Sequence, residues 1–482
     1  RHPPDHYSAW ENQSRDYKGA RLRTYVYISG NIVTEYNHSL HVPDSFDRKY
    51  NHIRSYNNLL SSIAQVLYAV LMGALLFTFV WALSTHQLRW RLALLLAGLS
   101  FLESVLSTAN NWPVIIKAYD TSKAFQTYLI DSSIGAVVQA LTAAAGTFVL
   151  IGGAEALYRK AFPEKLSLEA HFRAASLGSR QLFQSLCTGV AMFGVMLGWI
   201  TFYYLTGRAM GVWSPLQMRE VAVLSSVVPA WSSFTMAVEA SVFEELLCRV
   251  LCLVLVQRLT KNFWIANLVQ AIGWAFMHSN YPQEPAYVRG VELSFVGVAF
   301  GLLVRKFGIL PSIIAHFTYN CLLGALPLLS PNTPMLLISA LTVLSPAFLW
   351  LALSIWKIKA CRDIDETPLL NNKLIEPPAP TKKETEERRD YHYTPLANQT
   401  RLKILAVGAI ALALSFLPSK QIGQEAKLQI TKVEAIHAAE RYLGARGVAA
   451  TGWQTSAYLA ENLDSEETQY GFEKEGLQKV AE

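Results

Sequence analysis

Charged residues are scarce in this sequence. Asp, Glu, Lys and Arg make up 16% of its 482 residues, whereas a soluble globular domain has about a quarter. Hydrophobic residues make up 52%. The net charge of +6 is small and no basic patch with interleaved aromatic residues occurs, so we expect no nucleic-acid partner. This composition favours a membrane protein.

Cysteine is rare as well. Four of the five cysteines lie in apolar runs and Cys361 lies in a polar segment, so the sequence offers neither a disulfide framework nor a CxxC metal knuckle. The HExxH motif of helical zinc proteases is also absent. Because the sequence begins with Arg1 and not Met, we expect a fragment with cut ends, and the missing signal peptide carries no information.

Long apolar runs are abundant. Ten of them are long enough, or nearly so, to cross a hydrocarbon core of about 30 Å, although the seventh and the last are short. They predict an all-α polytopic membrane protein with about ten transmembrane helices and small α+β extramembrane segments at both ends. The runs are 59–84, 92–108, 130–156, 183–205, 233–256, 262–278, 291–304, 309–328, 335–356 and 402–417.

The distribution of Lys and Arg predicts the orientation. With the first residue outside, the alternate connections hold 21 Lys and Arg and would be cytoplasmic, whereas the outer loops between spans hold five. Basic residues prefer the cytoplasmic side. We therefore expect a multi-pass protein of a bacterial-type plasma membrane, with both polar ends outside.

These patterns divide the chain into seven segments. The predicted segments are an extracytoplasmic polar segment with a β-hairpin (1–57), N-terminal transmembrane helices (58–224), a core with polar intramembrane residues (225–330), a further transmembrane helix (331–356), a flexible cytoplasmic linker (357–401), the last transmembrane helix (402–417) and an extracytoplasmic α+β segment (418–482).

The two polar ends contain local structural signals. "LRTYVYI" and "IVTEYNHSLHV" alternate as the strands of a hairpin, and "VPDSFDRKY" after them is predicted as a loop. In the tail, Thr431 and Glu434 fit a capping box and Gly447 can end the helix. "WQTSAYLA" after this helix is a candidate strand. The tail is also a candidate to pack against the N-terminal hairpin.

The apolar run "VFEELLCRV" contains Glu244, Glu245 and Arg249. Ionisable groups inside a membrane are costly unless they are paired or functional, and they usually face the bundle interior. Glu245 and Arg249 stand at i and i+4, so they share a helix face and can form an ion pair. Glu244 points about 100° away from Glu245 and is free for another role.

Only two of the eleven histidines, His278 and His316, lie in or at the edge of apolar runs. His316 projects together with Asn320 in "HFTYN", and Trp274 projects together with His278 in "WAFMH". A carboxylate in a low-dielectric, water-accessible pocket can act as a general base, an imidazole can orient water, and imidazole and amide donors can stabilise an oxyanion. Glu244, His278, His316 and Asn320 are therefore sufficient for amide hydrolysis.

The three motifs resemble those of the CPBP family of intramembrane proteases, which includes the type II CAAX prenyl endopeptidases. The pattern of that family is EExxxR, FxxxH and HxxxN on successive helices, and here it is matched by "EELLCR", "WAFMH" and "HFTYN". Trp274 stands in place of Phe, and Cys248 stands where Phe often precedes the arginine. We interpret both departures as packing substitutions. The resemblance covers about 225–330, which would be the protease core.

The resemblance implies an endopeptidase that acts on a membrane-embedded, lipidated or prenylated protein or peptide in the bilayer. Whether a metal takes part stays open. Glu244, His278 and His316 could ligate zinc in an open site, whereas a glutamate–histidine mechanism without metal needs the same residues and is slightly favoured. The implied roles are general base for Glu244, water orientation for His278, oxyanion stabilisation for His316 and Asn320, and support of the helix for Glu245 and Arg249.

A non-proteolytic transporter, or a scaffold or immunity-type protein that retains the motif, is the alternative. A transporter would explain intramembrane carboxylates as a proton relay, but no inverted repeat is recognisable. The outer segments are candidates to bind a partner. For four other carboxylates in or beside the runs we expect structural partners or interface positions: Glu103, Glu155, Glu239 and Glu292.

Overall fold

The computed structural model describes a mostly helical chain with one small sheet. The described residues are 5–30, 32–120, 122–214, 221–329, 334–360, 364–374, 395–417, 430–448, 455, 457 and 465–475, so the candidate strand "WQTSAYLA" lies almost entirely outside them. The strands are β1 (His6–Glu11), β2 (Arg21–Ser29) and β3 (Ile32–His41).

The helices of the first half precede the core region. They are α1 (Asp44–Ser84), α2 (Trp90–Asn110), α3 (Trp112–Lys117), α4 (Phe125–Ala161), α5 (Arg180–Gly207) and α6 (Val221–Ser225). The helices of the second half form the core and the tail. They are α7 (Pro229–Glu244), a π-helical segment (Glu245–Cys252), α8 (Leu253–Thr260), α9 (Phe263–Phe276), α10 (Val288–Phe307), α11 (Leu310–Leu329), α12 (Pro334–Ala360), α13 (Asn398–Leu414), α14 (Lys432–Gly444) and α15 (Ser465–Glu475).

Six helices among the described residues are long and apolar enough to cross a membrane. They correspond to six of the ten predicted runs, and the other four runs are helical too but are shorter, interrupted or more charged. The chain is therefore a helical membrane protein, but a count of ten spans is not confirmed. The six helices are α1, α2, α4, α5 with the turn that follows it (Arg180–Met210), α11 and α12.

The N-terminal region differs from its prediction in two ways. The predicted hairpin is present as β2 and β3, but β1 pairs with β2 as well and makes an antiparallel sheet of three strands. The predicted loop "VPDSFDRKY" is wrong after Pro43, because α1 already begins at Asp44. Acidic residues favour a first helical turn, and Phe46 and Tyr50, four residues apart, are both buried.

The two polar ends pack together through α15. Tyr470 joins a small buried apolar cluster with Ala20, Phe46 and Tyr50, and its hydroxyl donates to the carbonyl oxygen of Lys18. The predicted α14 is present with both hydrogen bonds of the Thr431 capping box. The helix α15, which was not predicted from the sequence, thus packs on the sheet and on the N-terminal end of α1.

Part of the segment predicted as a flexible cytoplasmic linker is packed. Within 364–374, Leu369, Leu370 and Asn371 are buried, and Leu370 forms a β-bridge with Leu166 in the connection between α4 and α5. Apolar side chains in this otherwise polar stretch explain the difference, because their burial outweighs the ordering of a short segment.

Close helix contacts place α13 against α5. A Cβ atom added to Gly408 on α13 would meet the Cα and O atoms of Ala191 on α5 at 2.6 Å. Glycine therefore lets the two backbones touch, as small residues do between membrane helices.

Candidate functional site

The region around the first motif is a wide helical turn at the centre of the bundle. The helix that starts at Pro229 changes to π geometry at Glu245, directly after Glu244, and returns to α geometry at Leu253. All eight residues of the π segment are buried. Short π segments inside α-helices are frequent at functional sites, and this one turns Glu244 and Glu245 toward different partners.

Glu244 has two unlike carboxylate oxygens. Its Oε2 accepts the indole N–H of Trp274 at 2.5 Å and lies 3.9 Å from Nε2 of His316. Its Oε1 has no hydrogen bond from another described residue, and 26% of the side chain is exposed. The carboxylate is thus fixed at one oxygen and accessible at the other.

His316 is held by Glu245. The Nδ1 atom of His316 lies 3.0 Å from Oε1 of Glu245, which is fully buried. An ionised carboxylate can only accept a hydrogen bond, so Nδ1 donates and Nε2 faces Glu244. The expectation that Glu245 supports the helix is therefore incomplete, because Glu245 also sets the orientation of this imidazole.

His278 is held by the backbone of its own helix end. Its Nδ1 lies 2.9 Å from the carbonyl oxygen of Trp274, one turn earlier. A carbonyl oxygen only accepts, so Nδ1 donates here too and Nε2 remains for another group. The half-buried ring packs edge-on against Trp274 and Tyr281.

The loop after His278 is tied to α1, which lies outside the three motifs. The side chain of Ser61 donates to the carbonyl oxygen of Met277, and Asn57 and Arg54 both donate to the carbonyl oxygen of Tyr281. These hydrogen bonds satisfy backbone oxygens of the residue that caps α9 and of the loop that follows it. α1 therefore helps to fix the position of His278.

Arg249 is a fully buried cation at the base of the site. Its Nε lies 3.4 Å from Oε2 of Glu245, and its guanidinium carbon lies 3.9 Å from the Trp274 ring centre and 5.1 Å from that of Phe300. Its three guanidinium nitrogens donate no hydrogen bond to any described residue. The charge is thus balanced by one carboxylate and by aromatic faces, which attract cations.

Asn320 is the predicted residue with the weakest support. It lies half-buried on α11, one turn after His316. It makes no hydrogen bond with the part of the chain that the structure describes. The structure therefore brings Glu244, His316 and Trp274 into one contact network and leaves the role of Asn320 as a prediction.

The proposed zinc ligands do not form a metal site as they are arranged. Among the described residues, no group of three His, Cys, Asp or Glu side chains could hold one metal ion. Two ligands at about 2.0–2.1 Å from a tetrahedral zinc lie about 3.4 Å apart, whereas Oε2 of Glu244 and Nε2 of His316 are 3.9 Å apart.

Trp274 makes a contact with the site that the sequence did not predict. Its ring packs in the buried core, as expected for a packing substitution, and its indole N–H also donates to Glu244. The available signal was the replacement of a ring that cannot donate by a ring that can, at i−4 from His278.

The other carboxylates have partners. Glu155 pairs with Arg159 at 3.1 Å, and Glu292 pairs with Arg289 at 2.7 Å. These contacts agree with the structural roles expected for both residues.

The fold and the site define a helical membrane protein that encloses glutamate, histidine and arginine side chains within its bundle. Residues 226–322 match the family model described as type II CAAX prenyl endopeptidase Rce1-like, so the resemblance inferred from the three motifs is confirmed over this segment. The chain is also similar to the sporulation-killing factor biosynthesis protein SkfC of Bacillus subtilis (strain 168), with 31% identity over 93 residues. That stretch is 19% of this chain and 19% of SkfC. No solved structure matches the chain.

Proposed function

We propose that the chain is an intramembrane endopeptidase. The observation that carries this proposal is the Glu244 carboxylate, which lies inside the bundle with one oxygen accessible and with Nε2 of His316 3.9 Å from the other. The second imidazole, that of His278, packs against Trp274, which donates a hydrogen bond to Glu244. The match of residues 226–322 to a prenyl endopeptidase family supports the same reaction class.

The reaction is hydrolysis of a peptide bond by water. Glu244 removes a proton from water while the oxygen of that water forms a bond to the scissile carbonyl carbon. The carbonyl oxygen becomes an oxyanion. The C–N bond then breaks, and the proton on Glu244 passes to the leaving nitrogen, so that the products are a carboxyl group and an amine.

The two histidines have different tasks in this scheme. Because Nδ1 of each ring already donates to a protein acceptor, Nε2 is the nitrogen that reaches the reaction. A neutral His278 accepts a hydrogen bond from the attacking water and orients it. His316 stabilises the oxyanion as imidazolium, since only that form has a proton on Nε2. Asn320 supplies the second donor.

The proposed substrate class follows from the position of the general base, Glu244, inside the helical bundle. A site enclosed by membrane helices takes a protein or peptide that is membrane-embedded or lipidated, including prenylated chains. We place the protein in a bacterial-type plasma membrane with both polar ends outside, on the Lys and Arg distribution. The outer module of β1–β3 and α15 is the surface that we assign to partner binding.

The test compares cells that carry wild type, Glu244→Gln, His278→Ala or His316→Ala at matched abundance, with membrane-protein fragments identified by mass spectrometry. We expect each variant to lose the same cleavage products and to accumulate the uncleaved substrate. Glu239→Gln is the matched control, because Glu239 lies on the same helix but bonds to Glu103 and not to the site.

If Glu244→Gln is present at normal abundance and its cells retain every fragment found in wild-type cells, the proposal is wrong. That result would favour a transporter or scaffold. Once the substrate is known, chelator treatment of the purified enzyme decides the metal question. Loss of turnover that added zinc restores would establish a metal enzyme.

A further inference from the structure

We infer that Trp274 is a positioning residue that makes the two oxygens of Glu244 chemically unequal. Its indole N–H holds Oε2, so that Oε1 is the oxygen that takes the proton from water. The inference rests on the proposed endopeptidase function and adds a residue that none of the motif roles includes.

The hydrogen bond is short and lies in a dry environment. The Nε1–Oε2 distance is 2.5 Å, and Trp274 is 3% exposed. Water has little access to the indole N–H, so the carboxylate is its partner. A hydrogen bond to an ionised acceptor is stronger than one between neutral groups, particularly away from water. The contact therefore fixes the rotation of the carboxylate.

The surroundings of the two Glu244 oxygens also make them unequal. Oε2 faces both the Trp274 N–H and Nε2 of His316, whereas Oε1 receives no hydrogen bond from the described residues. A general base must meet water through an oxygen that is not already engaged. Oε1 of Glu244 meets that condition, and the exposed part of the side chain gives water a way to it.

Trp274 also links this base to the other groups of the site. Its carbonyl oxygen holds Nδ1 of His278, and its ring lies against the guanidinium of Arg249. One residue thus orients the base, one imidazole and the buried cation. A phenylalanine, which the related family has at this position, would keep the ring contact and the carbonyl but could not donate to Glu244.

The test is Trp274→Phe in the full-length purified protein. The probe is a synthetic peptide that spans the cleavage site found by comparing wild-type and Glu244→Gln cells. We expect kcat to fall by about 10-fold to 100-fold, the range for loss of a hydrogen bond to a charged group, with KM within about twofold because the carboxylate acts in the proton transfer. Trp264→Phe, at an exposed position of the same helix, leaves both constants unchanged.

Two outcomes separate the inference from the proposed function. If Glu244→Gln is inactive while Trp274→Phe keeps a kcat within about twofold of wild type, the inference is wrong and the endopeptidase proposal stands. If Glu244→Gln is itself active, the proposed function fails.

A spectroscopic measurement covers the case in which Trp274→Phe does not fold. The chain has 12 tryptophans, and their indole N–H resonances are recorded in 15N-tryptophan-labelled wild type and Glu244→Ala. One strongly downfield resonance must move upfield when the carboxylate is removed, because the proton of a short hydrogen bond is deshielded. Identical indole spectra of the two proteins overturn the inference.

Discussion

Arg249→Met is expected to destabilise the bundle strongly. The substitution removes a cation that is 0% exposed and leaves Glu245, also 0% exposed, with His316 as its remaining partner. Loss of one member of a buried ion pair costs about 3–5 kcal/mol. The lost contact of the guanidinium with the rings of Trp274 and Phe300 adds to this cost, by about 2 kcal/mol for a desolvated cation–π pair.

The assay is thermal unfolding of the purified protein in one detergent. For a chain of 482 residues, 1 kcal/mol shifts Tm by about 1 °C, so a loss of about 3–5 kcal/mol lowers Tm by about 3–5 °C. Arg258→Met is the matched control, because Arg258 lies on the same helix but is exposed. The double variant Glu245→Gln/Arg249→Met should recover part of the loss, since it no longer buries an uncompensated charge. Equal Tm values for Arg249→Met and Arg258→Met would refute the reasoning.

Two further predictions concern packing and pH. Gly408→Val should lower Tm or abundance, because even a Cβ atom at this position meets the backbone of α5 at 2.6 Å. Gly135→Val is the control and should change neither, because a Cβ atom at Gly135 has no other atom within 4 Å. Equal effects of the two substitutions would contradict the close contact between α5 and α13. Burial raises the pKa of the Glu284 carboxyl above its usual value, and the nearby Glu473 raises it further. A carboxyl whose pKa is higher in the folded than in the unfolded protein contributes stability at a pH below the unfolded pKa, and this contribution is lost as the pH rises through the folded pKa. Glu284→Gln should therefore raise Tm at pH 7 but not at pH 4. An equal gain in Tm at both pH values would contradict the raised pKa of Glu284.

The motif residues could be predicted because each is an exception to its surroundings. Two glutamates, an arginine and two histidines in apolar runs stand out without a structure, and their spacing gives the face on which each projects. The Glu245–Arg249 pair followed from spacing alone and is present. The hydrogen bond that His316 donates to Glu245 joins two residues that are 71 positions apart, and no local pattern contains such a contact. The hydrogen bond of Trp274 to Glu244 was not predicted, because an indole in an apolar run satisfies the rule for packing as well as the rule for donation.

The fold, like the site, could be predicted only in part. Apolar runs predicted where helices lie, but hydropathy does not show where a polar segment continues a helix, as at Asp44, or where a helix widens, as at Glu245. The tail was a candidate to pack against the N-terminal hairpin, but the helix that makes this contact, α15, was not predicted. Its contacts depend on a few side chains, such as the ion pair of Lys49 and Glu473 at 2.8 Å, that are ordinary surface residues in the sequence.

The segment that matches the family model depends on contacts from α1. Residues 226–322 carry every motif, yet the carbonyl oxygens of Met277 and Tyr281, on either side of His278 along the chain, accept hydrogen bonds from Ser61 and Asn57 on α1. Without α1 these partly buried oxygens would lose their donors, at a cost of about 1–3 kcal/mol for each that stays shielded from water. The side chain of Leu67 also fills the space beside Gly273, one residue before Trp274. The N-terminal helices therefore do more than anchor the core in the bilayer, because they hold the helix end that positions both Trp274 and His278.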